Sequence, residues 1–200
     1  MKNIVFFGDS LTAGYGLPAA DSFPARIQQK LEAAGLPYRA HNYGVSGETS
    51  AGGRQRLASV LARQAPDVFV LALGANDILR GIPLAQTSAN LQAILQEVGQ
   101  QFPGATRVLA GLDFPFDLGM LGVPGLQHYA QQFVGMFRTV AERAGIALVP
   151  HLLAGVLGRR DLNLPDHVHP NAAGQRILAD NVWAVLAPLL QAQLSAQPAA

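Results

Sequence analysis

The chain predicts an α/β fold, a parallel sheet of five strands in flavodoxin-like order with helices on both faces. Three observations carry this. Five short apolar runs alternate with five longer segments of helical period along the 200 residues, the pattern of repeated strand–helix units. Half of the residues are hydrophobic and only 14% are charged, against roughly 25% in an average soluble domain, so there is apolar material for both faces of a sheet. Polar and glycine-rich clusters follow the runs, three of them directly and one beyond a loop, which gathers them at the carboxyl end of a parallel sheet, where ligands bind in such folds.

The elements follow in order. The first run, 3–7, stops at Gly8-Asp9-Ser10. Phe23, Ile27 and Leu31 recur every four residues and predict the first long helix. The second run, 38–43, carries Arg39, His41 and Asn42, which places it at a sheet edge. A weaker helix covers 54–64, around Leu57, Val60 and Leu61. The runs 68–73 and 108–112, like the first, are nearly continuous Val, Ile, Leu, Phe and Ala, as strands covered on both faces require. Between them Leu91, Ile94, Leu95, Val98 and Phe102 form a second helical stripe, and Tyr129, Phe133, Phe137 and Val140 form a third before the last run, 146–149. The final helix is read from Leu178, Val182, Val185, Leu186 and Leu189, with Pro170 in its first turn and Pro188 as its kink or end. Residues 1–190 make a single domain, and 191–200 a frayed tail.

Charge and cysteine content narrow the function. The net charge of +1 is spread without a run of Lys or Arg, so neither nucleic acid nor stable membrane association is expected. With no cysteine, disulfides and thiolate chemistry are excluded. The opening "MKNIVFF" is basic then apolar like the start of a leader, but its apolar run ends at Gly8, short of the roughly 7–15 residues a leader needs. No later stretch is expected to span a bilayer. As it stands the chain is expected in the cytoplasm, or in the periplasm or medium if a leader has been removed.

Four clusters fall at the same end of the sheet: Gly8-Asp9-Ser10-Leu11, "NYGVSGETSAGG" around Gly47, Gly74-Ala75-Asn76-Asp77, and "LPDHVHPNAAG" with Asp166, His167 and His169. Acyl transfer needs a nucleophile, a base, a group to orient the base, and donors for the oxyanion. Ser10 follows a strand and projects from the sheet. A histidine serves as base because imidazole titrates near neutrality, and Asp166 can reach a ring three residues away. Asn76 offers an amide NH₂, and Gly47 an N–H that a substrate approaches without meeting a Cβ. Such donors are each worth roughly 3 kcal/mol of barrier. Spacing alone does not separate His167 from His169.

The blocks "FGDSLTAGYG", "GVSGETSAGG", "LGANDIL" and "DHVHPNAAG", in this order from residue 7 to residue 174, resemble those of the GDSL, or SGNH, hydrolases, nearest to the bacterial acyl-CoA thioesterase/lysophospholipase/arylesterase branch. The resemblance implies a three-layer α/β/α fold, ester or thioester hydrolysis and no cofactor. It implies Ser10 as nucleophile, His169, which directly precedes Pro170, as base, and Asp166 as its partner. It also implies an oxyanion hole of Ser10, Gly47 and Asn76. The expected partner is a small-molecule ester or thioester.

Rival readings stand beside this one. Asp9, Asp77, Asp166 and the two histidines form a candidate metal set, although Asp9 and Asp77 also suit turn bracing. The segment 112–125, "LDFPFDLGMLGVPG", either packs down through Phe114, Phe116 and Leu118 or lines an acyl groove. In the groove reading Phe116, Leu118, Met120 and Leu121 join Ile78 and Leu79 in binding substrate. A carbohydrate O-acetylesterase of the same family and a non-catalytic flavodoxin-like binding module are the remaining alternatives.

Overall fold

A computed structural model describes residues 1–112 and 126–195. Five parallel strands, β1 (Lys2–Gly8), β2 (Tyr38–Gly44), β3 (Val68–Ala72), β4 (Thr106–Ala110) and β5 (Ala147–Val149), pair in the order β2-β1-β3-β4-β5. This is the flavodoxin-like order, with β2 at an edge as its polar residues required. Ile4, Val5, Phe6 and Phe7 of β1 and all five residues of β3 are buried, because helices cover both faces. The fourth strand begins two residues earlier than its apolar run. Thr106 and Arg107 pair with Val68 and Phe69 of β3, and only their half-buried side chains hid them from the hydrophobic pattern.

On one face α2 (Phe23–Ala33) packs against α7 (Ala172–Ser195). On the other, α3 (Ser50–Arg63) packs on α5 (Leu84–Gln101), which packs on α6 (Leu126–Ala144). The arrangement is the expected three-layer α/β/α. The helical stripes are the buried faces: Phe23, Ile27 and Leu31 on α2, Leu91, Ile94, Leu95 and Val98 on α5, Leu178, Val182 and Leu186 on α7. Two short helices, α1 (Ser10–Ala13) and α4 (Ala75–Leu79), have no counterpart in the periodicity. At four and five residues they are too short to show one.

Three expectations about helix ends are corrected. The helix expected over 54–64 starts at Ser50, where the Thr49 side chain accepts the Gly52 N–H and caps it. Pro170 lies before α7 rather than in its first turn; Asn171 accepts the N–H groups of Ala173 and Gly174 and sets the start at Ala172. Pro188 does not end α7, which continues to Ser195. Pro188 and Ala184, whose carbonyl it frees, are both exposed, so water can take the lost bond. By length and composition α7 could cross a bilayer, contrary to expectation. It lies against the sheet with Leu178, Val182, Leu186 and Leu190 buried.

The strand ends position the site. Gly8 is level with Gly44 of β2 and with Ala72 of β3, so three loops leave the sheet at one height. A side chain at Gly8 would overlap the Thr12 hydroxyl and the Ala72 carbonyl, which is why the strand narrows to glycine before Ser10.

Candidate active site

Ser10 is the first residue of α1, directly beyond β1, and is 8% exposed. Its Oγ lies 3.0 Å from Nε2 of His169, and Nδ1 of His169 lies 2.7 Å from Oδ2 of Asp166. The three side chains form one hydrogen-bonded chain. Asp166 and His169 come from a tight turn closed by the bridge between Asn163 and Pro170 and by the Leu164 N–H donating to the His169 carbonyl at 2.7 Å. Within it Asp166 Oδ1 accepts the N–H groups of Val168 and His169 at 2.9 and 3.0 Å. Those backbone donors, first His169 and then Val168, with the His169 ring after them, hold the Asp166 carboxyl down at about 2. It therefore stays a carboxylate facing the imidazole.

The turn also separates the two histidines. His167 takes φ of 60°, a left-handed conformation unusual outside glycine, while His169 faces Ser10. The Tyr15 ring lies against His169 with centroids 4.4 Å apart.

The donors converge from the other two loops. As the first residue of a helix, Ser10 has an N–H without an intrahelical acceptor. Gly47 sits at φ of 78°, a conformation that glycine reaches without strain. The Asn76 Nδ2 donates to the Glu48 carbonyl at 3.1 Å and lies 3.4 Å from Asp9 Oδ2. All three residues line one cavity with Ser10 Oγ and His169.

Behind this front, buried groups fix the loops. Asp77, 1% exposed, accepts the Ser50 N–H at 2.8 Å, the Ser50 hydroxyl at 2.5 Å and the Thr87 hydroxyl at 3.1 Å. It ties α4 to the starts of α3 and α5, which is wider bracing than a single turn. Glu48 accepts the Arg56 Nε–H at 2.6 Å, and the same guanidinium lies 3.9 Å over the Phe7 ring. The Arg80 guanidinium donates to the Gly47 carbonyl at 2.7 Å.

The cavity measures about 510 Å³ and is mostly apolar, lined by Tyr15, Leu112, Phe133, Leu153 and Leu157 as well as by the expected Ile78 and Leu79. Phe116, Leu118, Met120 and Leu121 lie outside the described residues. The proposed metal set does not converge: among the described residues, no group of three His, Asp or Glu is placed to hold a metal ion.

A family model described as GDSL-like Lipase/Acylhydrolase matches residues 6–177. The chain belongs to that family. It is thus an enzyme of the GDSL serine hydrolase type, and the binding-module alternative falls away. Esterase TesA of Pseudomonas aeruginosa is 36% identical over 189 residues, covering 94% of this chain and 90% of that protein. The Thioesterase 1/protease 1/lysophospholipase L1 of Escherichia coli K12 is 29% identical over 187 residues, covering 94% of this chain and 84% of the other. A crystal structure of TesA superposes with a TM-score of 0.85 at 36% identity, covering 94% of this chain and 99% of that one.

In this GDSL hydrolase the structure brings together every residue of the five named from the motifs. Tyr15, Phe133, Leu153 and Leu157 were missed as cavity residues. Phe133 shows in sequence only as part of a helical stripe, Tyr15 only as part of the block that contains Ser10, and Leu153 and Leu157 carry no local signal. Glu48 and Arg56 were missed as a pair because Glu48 lies in the loop before α3 and Arg56 eight residues on, within that helix.

Proposed function

We propose that the chain hydrolyses carboxylic esters, and thioesters in the same manner, through a covalent acyl-enzyme. The observation that carries this is the hydrogen-bonded chain from Ser10 through His169 to Asp166. Ser10 Oγ attacks the acyl carbonyl while His169 Nε2 takes its proton. The tetrahedral oxyanion is held by the N–H groups of Ser10 and Gly47 and by the Asn76 amide. His169 returns the proton to the departing alcohol or thiol, leaving the acyl group on Ser10. Water, deprotonated by His169, then attacks the acyl-enzyme; the acyl–Oγ bond breaks, His169 gives the proton back to Ser10 Oγ, and the acid is released. Asp166, held as a carboxylate by its backbone donors, keeps the proton on Nδ1 so that Nε2 is free to act as base.

The cavity beside Ser10 supports a substrate with an apolar acyl or aryl part. Its lining favours this over short acyl groups on carbohydrate. The thioester reading draws on the relative named a thioesterase.

The test is hydrolysis of p-nitrophenyl esters from acetate to palmitate by the protein and by Ser10→Ala. The variant is expected to lose at least about 10³-fold in kcat, with the optimum at a medium chain that fills the cavity. Equal activity in both proteins overturns the serine mechanism.

A further inference from the structure

Asp9 is a buried carboxyl to which the proposed reaction gives no task. It is 1% exposed and stands between the last residue of β1 and Ser10. One oxygen, Oδ1, accepts the Leu11 N–H at 3.0 Å and caps α1. A serine or asparagine supplies such a cap equally well. Burial makes the charge unfavourable here. Desolvation pushes Asp9 up to about 7, the Leu11 N–H opposes this, and the carboxylates of Glu48 and Asp77 add to the rise. A neutral cap would escape that penalty, so what the carboxyl contributes specifically lies at its other oxygen.

That oxygen, Oδ2, faces Asn76 Nδ2 at 3.4 Å across 67 residues of sequence. The same nitrogen donates to the Glu48 carbonyl at 3.1 Å. A carboxamide has a donor end and an acceptor end of nearly the same shape. With two acceptors beside it, the NH₂ end is held in place. With Asp9 ionised, as it is above about pH 7, an overturned Asn76 would set its own oxygen against Asp9 Oδ2 and the Glu48 carbonyl, two repulsive contacts in a part-buried site. Of the two Nδ2 hydrogens, Glu48 holds one firmly. The contact to Asp9 exceeds ordinary N–H···O length, so the second hydrogen is kept directed yet free to be shared with an incoming oxyanion.

We propose that Asp9 is a positioning residue that fixes the Asn76 carboxamide with its NH₂ end toward the reacting carbonyl. This rests on Asn76 being an oxyanion donor in the proposed reaction. Asp9 touches no reacting atom and acts through Asn76.

Asp9→Asn separates this from capping. The asparagine keeps an acceptor for Leu11 but presents an NH₂ to the Asn76 NH₂, which favours the overturned amide. With p-nitrophenyl butyrate, kcat of Asp9→Asn is expected to fall about 10²-fold with KM within about twofold, as for loss of one oxyanion donor. Asn76→Ala is expected to show a similar fall, and the double variant to be no slower than Asn76→Ala alone. Asp9→Ser, a neutral cap without the opposing NH₂, is expected to lose less than Asp9→Asn and covers the case in which Asp9→Asn does not fold. Wild-type kcat in Asp9→Asn or Asp9→Ser alongside a slow Asn76→Ala overturns the positioning role and leaves the oxyanion hole standing. So does a double variant slower by the product of the two single effects. Full activity in Asn76→Ala overturns the hole reading itself, and this inference with it.

Discussion

Two carboxyls flank the Ser10–His169 pair, and their surroundings displace them in opposite directions. Asp166 accepts two backbone N–H groups and is held at about 2. Its contribution to stability is present above the ordinary carboxyl range and is lost as pH falls through about 2. Asp9 is raised to about 7, chiefly by burial. Between the unfolded value, 3.8, and about 7 the folded chain keeps a proton that the unfolded chain has released. Stability from this group is therefore full below about 4, declines as pH rises to about 7, and is flat beyond. Each tenfold difference in proton affinity between the two states is worth about 1.4 kcal/mol, so the loss is on the order of a few kcal/mol. Relative to the wild type, Asp9→Asn should gain stability from pH 4 to pH 8, read by urea unfolding at each pH. A difference that does not vary with pH would show that the fold does not raise Asp9 above its unfolded value. At this scale the sequence marked Ser10, Gly47 and Asn76, each in a motif next to a strand end, and Asp166 and His169, in a motif beyond the loop that follows the last strand. Spacing left His167 and His169 equivalent, and only the resemblance to the family chose His169; what parts them physically is the backbone of one turn, with Asp166 bonded to the N–H groups on the far side of His167.

The elements meet through a few buried polar ties that no periodicity reports. Gln175, 1% exposed in the first turn of α7, accepts the Phe23 N–H at 2.7 Å and donates to the Leu11 carbonyl at 3.2 Å. One side chain thus joins α7, α2 and α1 across more than 150 residues of sequence. Gln175→Leu conserves most of the volume but strands a buried donor and a buried acceptor. It should lower stability by roughly 1–3 kcal/mol for each orphaned group, which for a chain of this size is about 2–4 °C of Tm per kcal/mol. A Tm within about 1 °C of wild type would show that the tie contributes nothing. The long helices and the strands were legible because their apolar faces repeat. The helices that carry Ser10 and Asn76 were not, being one turn long and set by caps and by the sheet beneath them.

At the scale of the molecule, the strand–helix alternation was enough to give the layers and the order β2-β1-β3-β4-β5. What it could not give is that Gly8, Gly44 and Ala72 end level, so that three loops begin from one rigid line. Register is a matter of pairing between distant strands and leaves no trace in any single one. The fourth side of the site is contributed by the far end of the chain, since Ser10 and His169 meet across 159 residues. Contacts this remote close late in folding, because the loop-closure entropy is met before they form. During refolding from urea, helical circular dichroism should therefore recover ahead of esterase activity. A simultaneous return of both signals would show that the last turn forms in the same cooperative step as the helices. Until those two distant segments pack together, the proposed nucleophile is a chemically ordinary serine, so a partly folded chain is expected to be inert toward esters.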